Sequence, residues 1–363
     1  MKKITNLEIG TITYFLIRSC LFSICFNTLI QVSKQDSYIS IIIGAIIGII
    51  PLSVFYLLFN YEPSLNIFQK IKVLLGKYLG SIVNVILVLL IFSISIILFN
   101  DLITFIRYQY LDNTPIFIIS IAFGLVIYYT LIKGINSILR ASSIFFFMCI
   151  ILFIISISGL IFKIDISNYT PSLINNYYRG SFLCLSYNLL PMILLLQIPK
   201  ERIVQNSKSL KFIIIFYLIA ILSVLMTLLS VIGIFGWKLS ILYNYPEFQI
   251  LKYVYFKGLS SKLDSILYLQ CLFDTVIYII FSSFFIFNGV ITILKKKRNI
   301  IRIIIPLLFI IFNEKISNIF LLKSLSFQTI SNIIFIIITS ILFILVISLL
   351  FKKENPNKNS CNS

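Results

Sequence analysis

The chain has 363 residues, of which 60% are hydrophobic and 12% charged, and its formal net charge is +18. Soluble domains contain about 45–50% apolar and about 25% charged residues, so this composition excludes a soluble protein and predicts one polytopic membrane domain over 1–363. The chain has no histidine, which excludes His-ligated metals, Ser-His-Asp triads and imidazole proton relays.

Runs of about 20 apolar residues, enough to cross a bilayer as an α-helix, recur along the sequence. The first run resembles a signal peptide, but Glu8 and Arg18 interrupt it and no small-residue cleavage site follows, so we predict that it is retained as a helix. The ninth run is cut short by polar residues at 313–315. The ten predicted spans are 7–30, 38–59, 81–106, 115–132, 141–162, 181–199, 212–236, 265–293, 300–320 and 327–351.

The distribution of Lys and Arg predicts the orientation of these helices. If the N-terminus lies inside, the inner segments carry 19 of these residues and the outer segments 10. Cytoplasmic loops are enriched in Lys and Arg, so we predict that both termini, including a short tail at 352–363, are cytoplasmic. The positive charge therefore indicates membrane topology and no nucleic-acid partner.

Two stretches between the predicted spans also have a membrane-surface character. Residues 64–79 place apolar side chains between three lysines, which suits a cytoplasmic helix lying in the membrane interface. Residues 237–262 are rich in tyrosine and are expected at headgroup depth on the outside. Either stretch could gate access to the membrane domain or simply pack at the surface.

The six cysteines include no C-x-x-C motif, and five of them lie in apolar runs. We therefore predict buried thiols, with no disulfide framework, no metal site and no cofactor.

Ten helices with both termini on one side suit two halves of five, approximately 1–162 and 181–351. Because five is odd, the second half would enter the membrane in the opposite sense. This is the inverted repeat of many secondary transporters, whose sites form at mid-membrane where helices are broken.

Short motifs in the loops carry a family resemblance. The segment KQDSY at 34–38 resembles a Gly-Gln-Asp-Ala-Trp pattern before the second helix of endospore germination permeases, and LGKYLG at 75–80 resembles their pattern before the third helix. Further matches in the same order are LDNTP at 111–115, KGI at 133–135, Arg140 with Ala141, Phe235 with Gly236, Tyr245 with Pro246, Gly258 with Leu259, and KLD at 262–264.

This resemblance implies a fold and a role. Endospore germination permeases are the B subunits of spore germinant receptors and are related to amino acid–polyamine–organocation permeases, with a LeuT-like core of ten helices. The resemblance implies a sensor of a small germinant, often an amino acid, in the spore inner membrane. The implied partners are a larger A subunit, a lipoprotein C subunit and membrane lipid.

The chain departs from the family pattern at three places that bear on the ligand. Arg18 and Ser19 lie near the break of the first helix, where the family often has glycine, and Cys271 lies near an expected tryptophan in the eighth helix. Ser186, Tyr187 and Asn188 lie where the sixth helix often carries Gly-Glu. The germinant is therefore not transferred from the family.

Two charged residues are predicted at the middle of the membrane. Arg18 lies about 15 Å into the first helix at 1.5 Å per residue, and Asp274 reaches a similar depth in the eighth. Placing Arg or Asp at a helix centre costs about 2.5–3.5 kcal/mol, so each needs a partner or water. In the LeuT-like core that the resemblance implies, the first and eighth helices are neighbours around an ion site. We therefore predict that Arg18 and Asp274 pair there and that the fixed cation replaces a coupling ion. A purely structural pair, or two residues that never meet, are the alternatives.

The second predicted site lies in the sixth helix, where Ser186, Tyr187 and Asn188 precede Pro191. Proline disfavours a regular helix around it, so we expect an unwound segment whose backbone and Asn188 side chain contact the ligand, together with Ser19. Alternatively, Ser186 and Asn188 merely form hydrogen bonds between helices.

Other polar groups have simpler interpretations. Asn100, Asp101 and Arg107 could form an outer vestibule or a solvated helix end. The basic run 295–298 is most simply a topology anchor, although it could also bind anionic lipid or the A subunit.

Four functions remain open on these observations. A non-enzymatic receptor subunit is favoured by the family pattern, and a transporter of amino acids or ions needs the same mid-membrane site. A binding-only structural subunit is the third. A membrane enzyme is disfavoured because the sequence has no paired carboxylates within the spans and no metal-ligand spacing.

Overall fold

The computed structural model describes residues 3–169, 177–204, 207–253, 263–294, 298–320 and 324–354. Within these ranges the chain is almost entirely helical, and its only β-type pairing is an isolated bridge between Ile4 and Ile203. The α-helices are α1 (Asn6–Ser19), α2 (Phe26–Ser33), α3 (Ser37–Ile47), α4 (Ile49–Asn60), α5 (Ile67–Leu75), α6 (Lys77–Tyr110), α7 (Ile116–Lys133), α8 (Ile135–Leu160), α9 (Tyr177–Leu195), α10 (Ser209–Leu242), α11 (Pro246–Gln249), α12 (Leu263–Leu294), α13 (Arg298–Phe320) and α14 (Ser324–Glu354).

Every predicted span overlaps at least one of these helices. In the described part of the chain, six helical stretches are long and apolar enough to cross a membrane. They are Phe26–Asn60, Lys77–Tyr110, Ile116–Lys133, Ile135–Lys163, Ser209–Leu242 and Asp264–Leu294. The chain is therefore a helical integral membrane protein, while the total of ten spans stays a prediction.

Several long helices are interrupted. Between α1 and α2 the chain forms a π-helical segment, Cys20–Cys25, and a π-segment inside an α-helix is frequently found at functional sites. The helix α10 is interrupted at Gly236, whose φ of 67° and ψ of 165° lie outside the helical region. A residue with a Cβ would be strained there.

The predicted surface helix at 64–79 forms α5, which begins with a capping box between Asn66 and Gln69. The Lys70 Nζ donates hydrogen bonds to the carbonyl oxygens of Leu58 (2.7 Å) and Phe59 (3.3 Å). These carbonyls end α4, where the helix dipole favours a cation. Burial lowers the pKa of Lys70 to about 8.

The helix α1 lies at the centre of the bundle, because every side chain from 9 to 19 is buried and α1 packs against α8, α10 and α12. The helices α3 and α9 approach each other closely. A Cβ at Gly44 would lie 2.5 Å from the Cys184 Cβ, so glycine is needed at this contact, as in other closely packed membrane helices.

The predicted outer stretch 237–262 contributes the last turns of α10, the short helix α11 and a 3₁₀ turn at Ile250–Tyr253. Its remainder at 254–262, the matches at 258–259 and Lys262, the run 295–297 and the tail from 355 onward lie outside the described residues.

Candidate functional site

The two charged residues that the sequence predicts at the middle of the membrane lie side by side. The Arg18 Nε is 3.0 Å from the Asp274 Oδ2, and both side chains are completely buried. They come from α1 and α12, which pack against each other. The structure thus places a basic and an acidic side chain in contact in the protein interior.

Aromatic rings surround the guanidinium group of Arg18. Its central carbon lies 4.8 Å from the ring centroid of Phe22, 5.4 Å from that of Phe153 and 5.6 Å from that of Tyr14. The Nη1 atom also donates a hydrogen bond to the Tyr14 hydroxyl, one helical turn earlier in α1. Cation–π contacts of this kind stabilise a desolvated cation.

The ion pair is incompletely satisfied by hydrogen bonds. Among the described residues, the Arg18 Nη2 and the Asp274 Oδ1 have no hydrogen-bond partner. Buried polar atoms are normally paired, and an unpaired one is a place where water or a ligand can bind.

Ser19 follows Arg18 at the end of α1, immediately before the π-helical segment. Its side chain is completely buried, and within the described part of the chain its hydroxyl has no hydrogen-bond partner. The π-helical segment begins next to the place where the family resemblance implies a break in the first helix.

The expectation for the sixth span was wrong in one respect. The helix α9 is continuous over Tyr177–Leu195 with Pro191 inside it, so no unwound backbone is exposed there. Ser186 donates its hydroxyl to the Phe182 carbonyl of the same helix at 2.7 Å, which satisfies it within the helix. Tyr187 is buried as well.

Asn188 connects three helices. Its Nδ2 lies 3.4 Å from the Tyr217 hydroxyl of α10, and that hydroxyl donates to the Ala45 carbonyl of α3 at 3.1 Å. The Asn188 Oδ1 is buried and has no hydrogen-bond partner among the described residues. This oxygen remains as an acceptor for a ligand N–H or O–H group.

The contact between the π-helical segment and α9 relates Asn188 to Ser19. The π-helical segment packs against α9, and the thiols of Cys25 and Cys184 lie next to each other there. In the predicted topology α1 runs from the inside to the outside, and α9 runs in the opposite direction. Asn188 therefore lies about 6 Å closer to the cytoplasm than Cys184. In the first span, Ser19 likewise lies on the cytoplasmic side of Cys25. We therefore expect the Ser19 hydroxyl oxygen and the Asn188 Oδ1 to lie at similar depths in the membrane.

An acidic cluster that consists of the buried Glu247 and the half-buried Asp101 lies near the ion pair. Glu247 of α11 is buried, and the Tyr245 hydroxyl donates to the Asp101 Oδ1 at 3.0 Å. A cavity of about 20 Å³, room for one water molecule, is lined by Glu247, Asp101 and Phe22. Phe22 is also the nearest ring to the Arg18 guanidinium, so it separates the cluster from the ion pair.

The structure places two of the residues that were expected at an outer vestibule, Asn100 and Asp101, at or beside this cluster. Asp101 is half-buried and hydrogen-bonded within the protein, and Asn100 is completely buried, so Asn100 does not belong to a solvated helix end. Only the tertiary fold reveals the burial of Glu247, because the sequence places this residue in the tyrosine-rich stretch expected at headgroup depth.

The Glu247→Gln substitution is expected to change how stability depends on pH. Burial raises the pKa of Glu247 from 4.5 to about 8, and the charge of Asp101 acts in the same direction. Between about pH 4.5 and 8 the folded chain then holds a proton that the unfolded chain releases. Stability should therefore fall as pH rises through this window, by up to ~1.4 kcal/mol per pH unit.

Thermal unfolding of the purified protein between pH 5 and 9 tests this expectation. The Glu247→Gln variant should have a shallower decline and be more stable than the parent at pH 8. Glu62→Gln is the matched control, because Glu62 is exposed in a loop. Parallel profiles for the parent and Glu247→Gln would contradict the prediction.

Comparison with known families gives one match. The profile of a family described as spore germination protein matches residues 10–318, which includes most of α1 and all of α9 and α12. No curated protein matches the chain.

Proposed function

The chain belongs to the spore germination protein family, and from this premise we propose that it is the permease-like B subunit of a spore germinant receptor. In this role it binds a small germinant, such as an amino acid, and triggers germination without catalysing a reaction. We propose that it lies in the spore inner membrane with both termini in the cytoplasm, which is supported by the excess of Lys and Arg in the inner segments.

We further propose a ten-span, five-plus-five LeuT-like architecture. The π-helical segment after Ser19 supports this, because transporters of this class bind substrate at mid-membrane where a helix is broken. The proposed partners are an A subunit, a lipoprotein C subunit and membrane lipid.

The observation that carries the binding role is the pair of buried, unpartnered oxygens on Ser19 and Asn188. An amino acid presents an ammonium group that donates hydrogen bonds, and the two oxygens can accept them. Helix α9 stays helical in this proposal, so side chains rather than unwound backbone bind the ligand.

Arg18 and Asp274 have a separate role in the proposal. Many transporters of this architecture bind an exchangeable cation beside the substrate. Here the Arg18 guanidinium supplies a fixed positive charge next to Asp274. A fixed charge removes the need for a coupling ion, which suits a receptor that shifts between conformations without moving ions.

An in-frame deletion strain tests the proposed function. Its spores are scored for germination against a panel of amino acids, and its growing cells for uptake of the same radiolabelled amino acids. We expect loss of response to particular germinants with normal uptake. Normal germination with impaired uptake would overturn the receptor role and indicate an amino acid transporter instead.

A further inference from the structure

A second and much larger cavity opens at the opposite end of the bundle from the acidic cluster. Its volume is about 500 Å³, within the range of about 300–1,000 Å³ typical of small-molecule sites. The segment before α1, the start of α8, the loop after α9 and the start of α13 form its walls. The predicted topology assigns this end to the cytoplasm.

The charge of this cavity is entirely positive. Lys133, Arg202, Arg298 and Arg302 line it, and no Asp or Glu is among its described lining residues. Arg298 and Arg302 lie four residues apart on α13, so their like charges repel each other on one helix face. An anion between them would remove this repulsion.

One of these arginines has unused hydrogen-bonding capacity. The Arg302 Nη1 donates to the Asn299 Oδ1 at 3.2 Å, whereas its Nε is buried without a hydrogen-bond partner in the described part of the chain. A guanidinium group binds phosphate oxygens through two parallel N–H groups, so this side chain suits a phosphate ligand.

The start of α8 adds a second source of donors. This helix is 26 residues long, and its N-cap, Gly134, supplies no side chain to accept from the first-turn N–H groups. Ile135 and Asn136 at this helix start line the cavity. An uncapped helix N-terminus favours an anion through its free N–H groups and its dipole.

A buried acceptor faces the same cavity. Gln197 is 3% exposed, and its Nε2 lies 3.5 Å from the Phe281 carbonyl. Its Oε1 has no hydrogen-bond partner among the described residues. An anion without a hydrogen-bond donor cannot pair with the Gln197 Oε1. The ligand that fits this cavity therefore also carries a hydroxyl group.

Backbone pairing holds one wall of the cavity in place. The Ile4 N–H donates to the Arg202 carbonyl at 2.8 Å, and the Val204 N–H donates to the Ile4 carbonyl at 2.9 Å. This bridge fixes the segment before α1 against the loop that carries Arg202. A ligand bound here would therefore tie α1 to α13 through the cavity.

We propose that this cavity binds a phosphate ester that carries a hydroxyl group. This chemistry is shared by the headgroup of phosphatidylglycerol and by soluble glycerol phosphate. The site is separate from Ser19 and Asn188, and it does not depend on which germinant the chain senses. Its occupancy stabilises the observed position of the segment before α1, since Ile4 of that segment forms part of the wall.

The experiment compares the full-length protein in nanodiscs of two compositions. One contains only phosphatidylcholine, and the other contains phosphatidylglycerol in addition. The midpoint of thermal unfolding is measured in both, with and without glycerol 3-phosphate. A higher midpoint in phosphatidylglycerol discs alone identifies the lipid as the source, and a higher midpoint with glycerol 3-phosphate in phosphatidylcholine discs identifies the soluble ester.

Variants decide whether the cavity is responsible. Arg202→Gln and Arg302→Gln should each raise the half-stabilising concentration of the ligand at least tenfold. Arg140→Gln is the matched control, because Arg140 is exposed on α8 near the same end and does not line the cavity. Arg302→Lys keeps the charge, and it should bind more weakly than the parent if the guanidinium geometry matters.

Two results would overturn the proposal. One is the absence of stabilisation by either ligand in the parent protein. The other is an equal loss of stabilisation in Arg140→Gln, which would indicate attraction to the general surface charge.

Discussion

The Asp274→Asn variant is expected to lose about 3–5 kcal/mol of stability. Removing one partner of a buried ion pair leaves the other charge uncompensated, and the cost is in this range. The guanidinium group cannot lose its proton in a protein, and Arg18 is completely buried against three aromatic rings. The variant therefore cannot neutralise the Arg18 charge by deprotonation, and the uncompensated buried charge destabilises the folded protein.

Thermal unfolding of the purified protein, together with its abundance in the membrane, measures this loss. Asp264→Asn is the matched control, because Asp264 lies in the first turn of the same helix and is only half-buried. We expect the control to stay within about 0.5 kcal/mol of the parent.

A paired replacement separates structure from signalling. The Arg18→Met and Asp274→Leu double variant removes both charges, and such replacements are often neutral or stabilising. It should recover the stability lost by Asp274→Asn. If the fixed charge takes part in germinant sensing, this folded double variant still fails to respond to germinant, whereas a purely structural pair would leave the response intact.

Exchanging the two charges tests whether they act as a unit. Arg18→Asp and Asp274→Arg each place like charges together and should abolish function. The double exchange restores opposite charges at the same two positions. If it recovers nothing that either single exchange lost, the pairing has no functional meaning.

The sequence predicted the helices where the membrane environment determines the structure. Apolar length predicts helices because a bilayer leaves no other way to satisfy the backbone, so each predicted span overlaps a helix. The prediction that Arg18 lies near mid-membrane rests on helix rise alone. Its contact with Asp274 required the further assumption that the first and eighth spans are neighbours, which came from the family resemblance.

The sequence was less informative where packing decides the outcome. Proline weakens a helix locally, but α9 stays helical through Pro191 because the surrounding helices bury this part of it. Likewise, the sequence places Glu247 and Lys70 in stretches at the membrane surface, yet tertiary contacts bury both side chains. No local pattern encodes such long-range burial.

The Asn188→Leu variant is expected to need about 10–100 times more germinant for a half-maximal response. A hydrogen bond to a charged group contributes about 1.5–3 kcal/mol, and leucine removes the Oδ1 acceptor while keeping a similar side-chain volume. The hydrogen bond to Tyr217 is lost as well, but bonds of this kind between membrane helices average about 0.6 kcal/mol. The variant should therefore fold and fail mainly in ligand binding.

Germination dose–response curves of spores carrying the variant measure this shift, with the amount of protein checked by immunoblot. Asn84→Leu is the matched control. Asn84 is also a completely buried asparagine whose Nδ2 donates to a carbonyl, that of Phe68 at 3.0 Å, and whose Oδ1 has no partner in the described part of the chain. It lies on α6 rather than α9, so its loss should change stability without shifting the germinant concentration. An unchanged curve for Asn188→Leu, or an equal shift in both variants, would remove Asn188 from the ligand site.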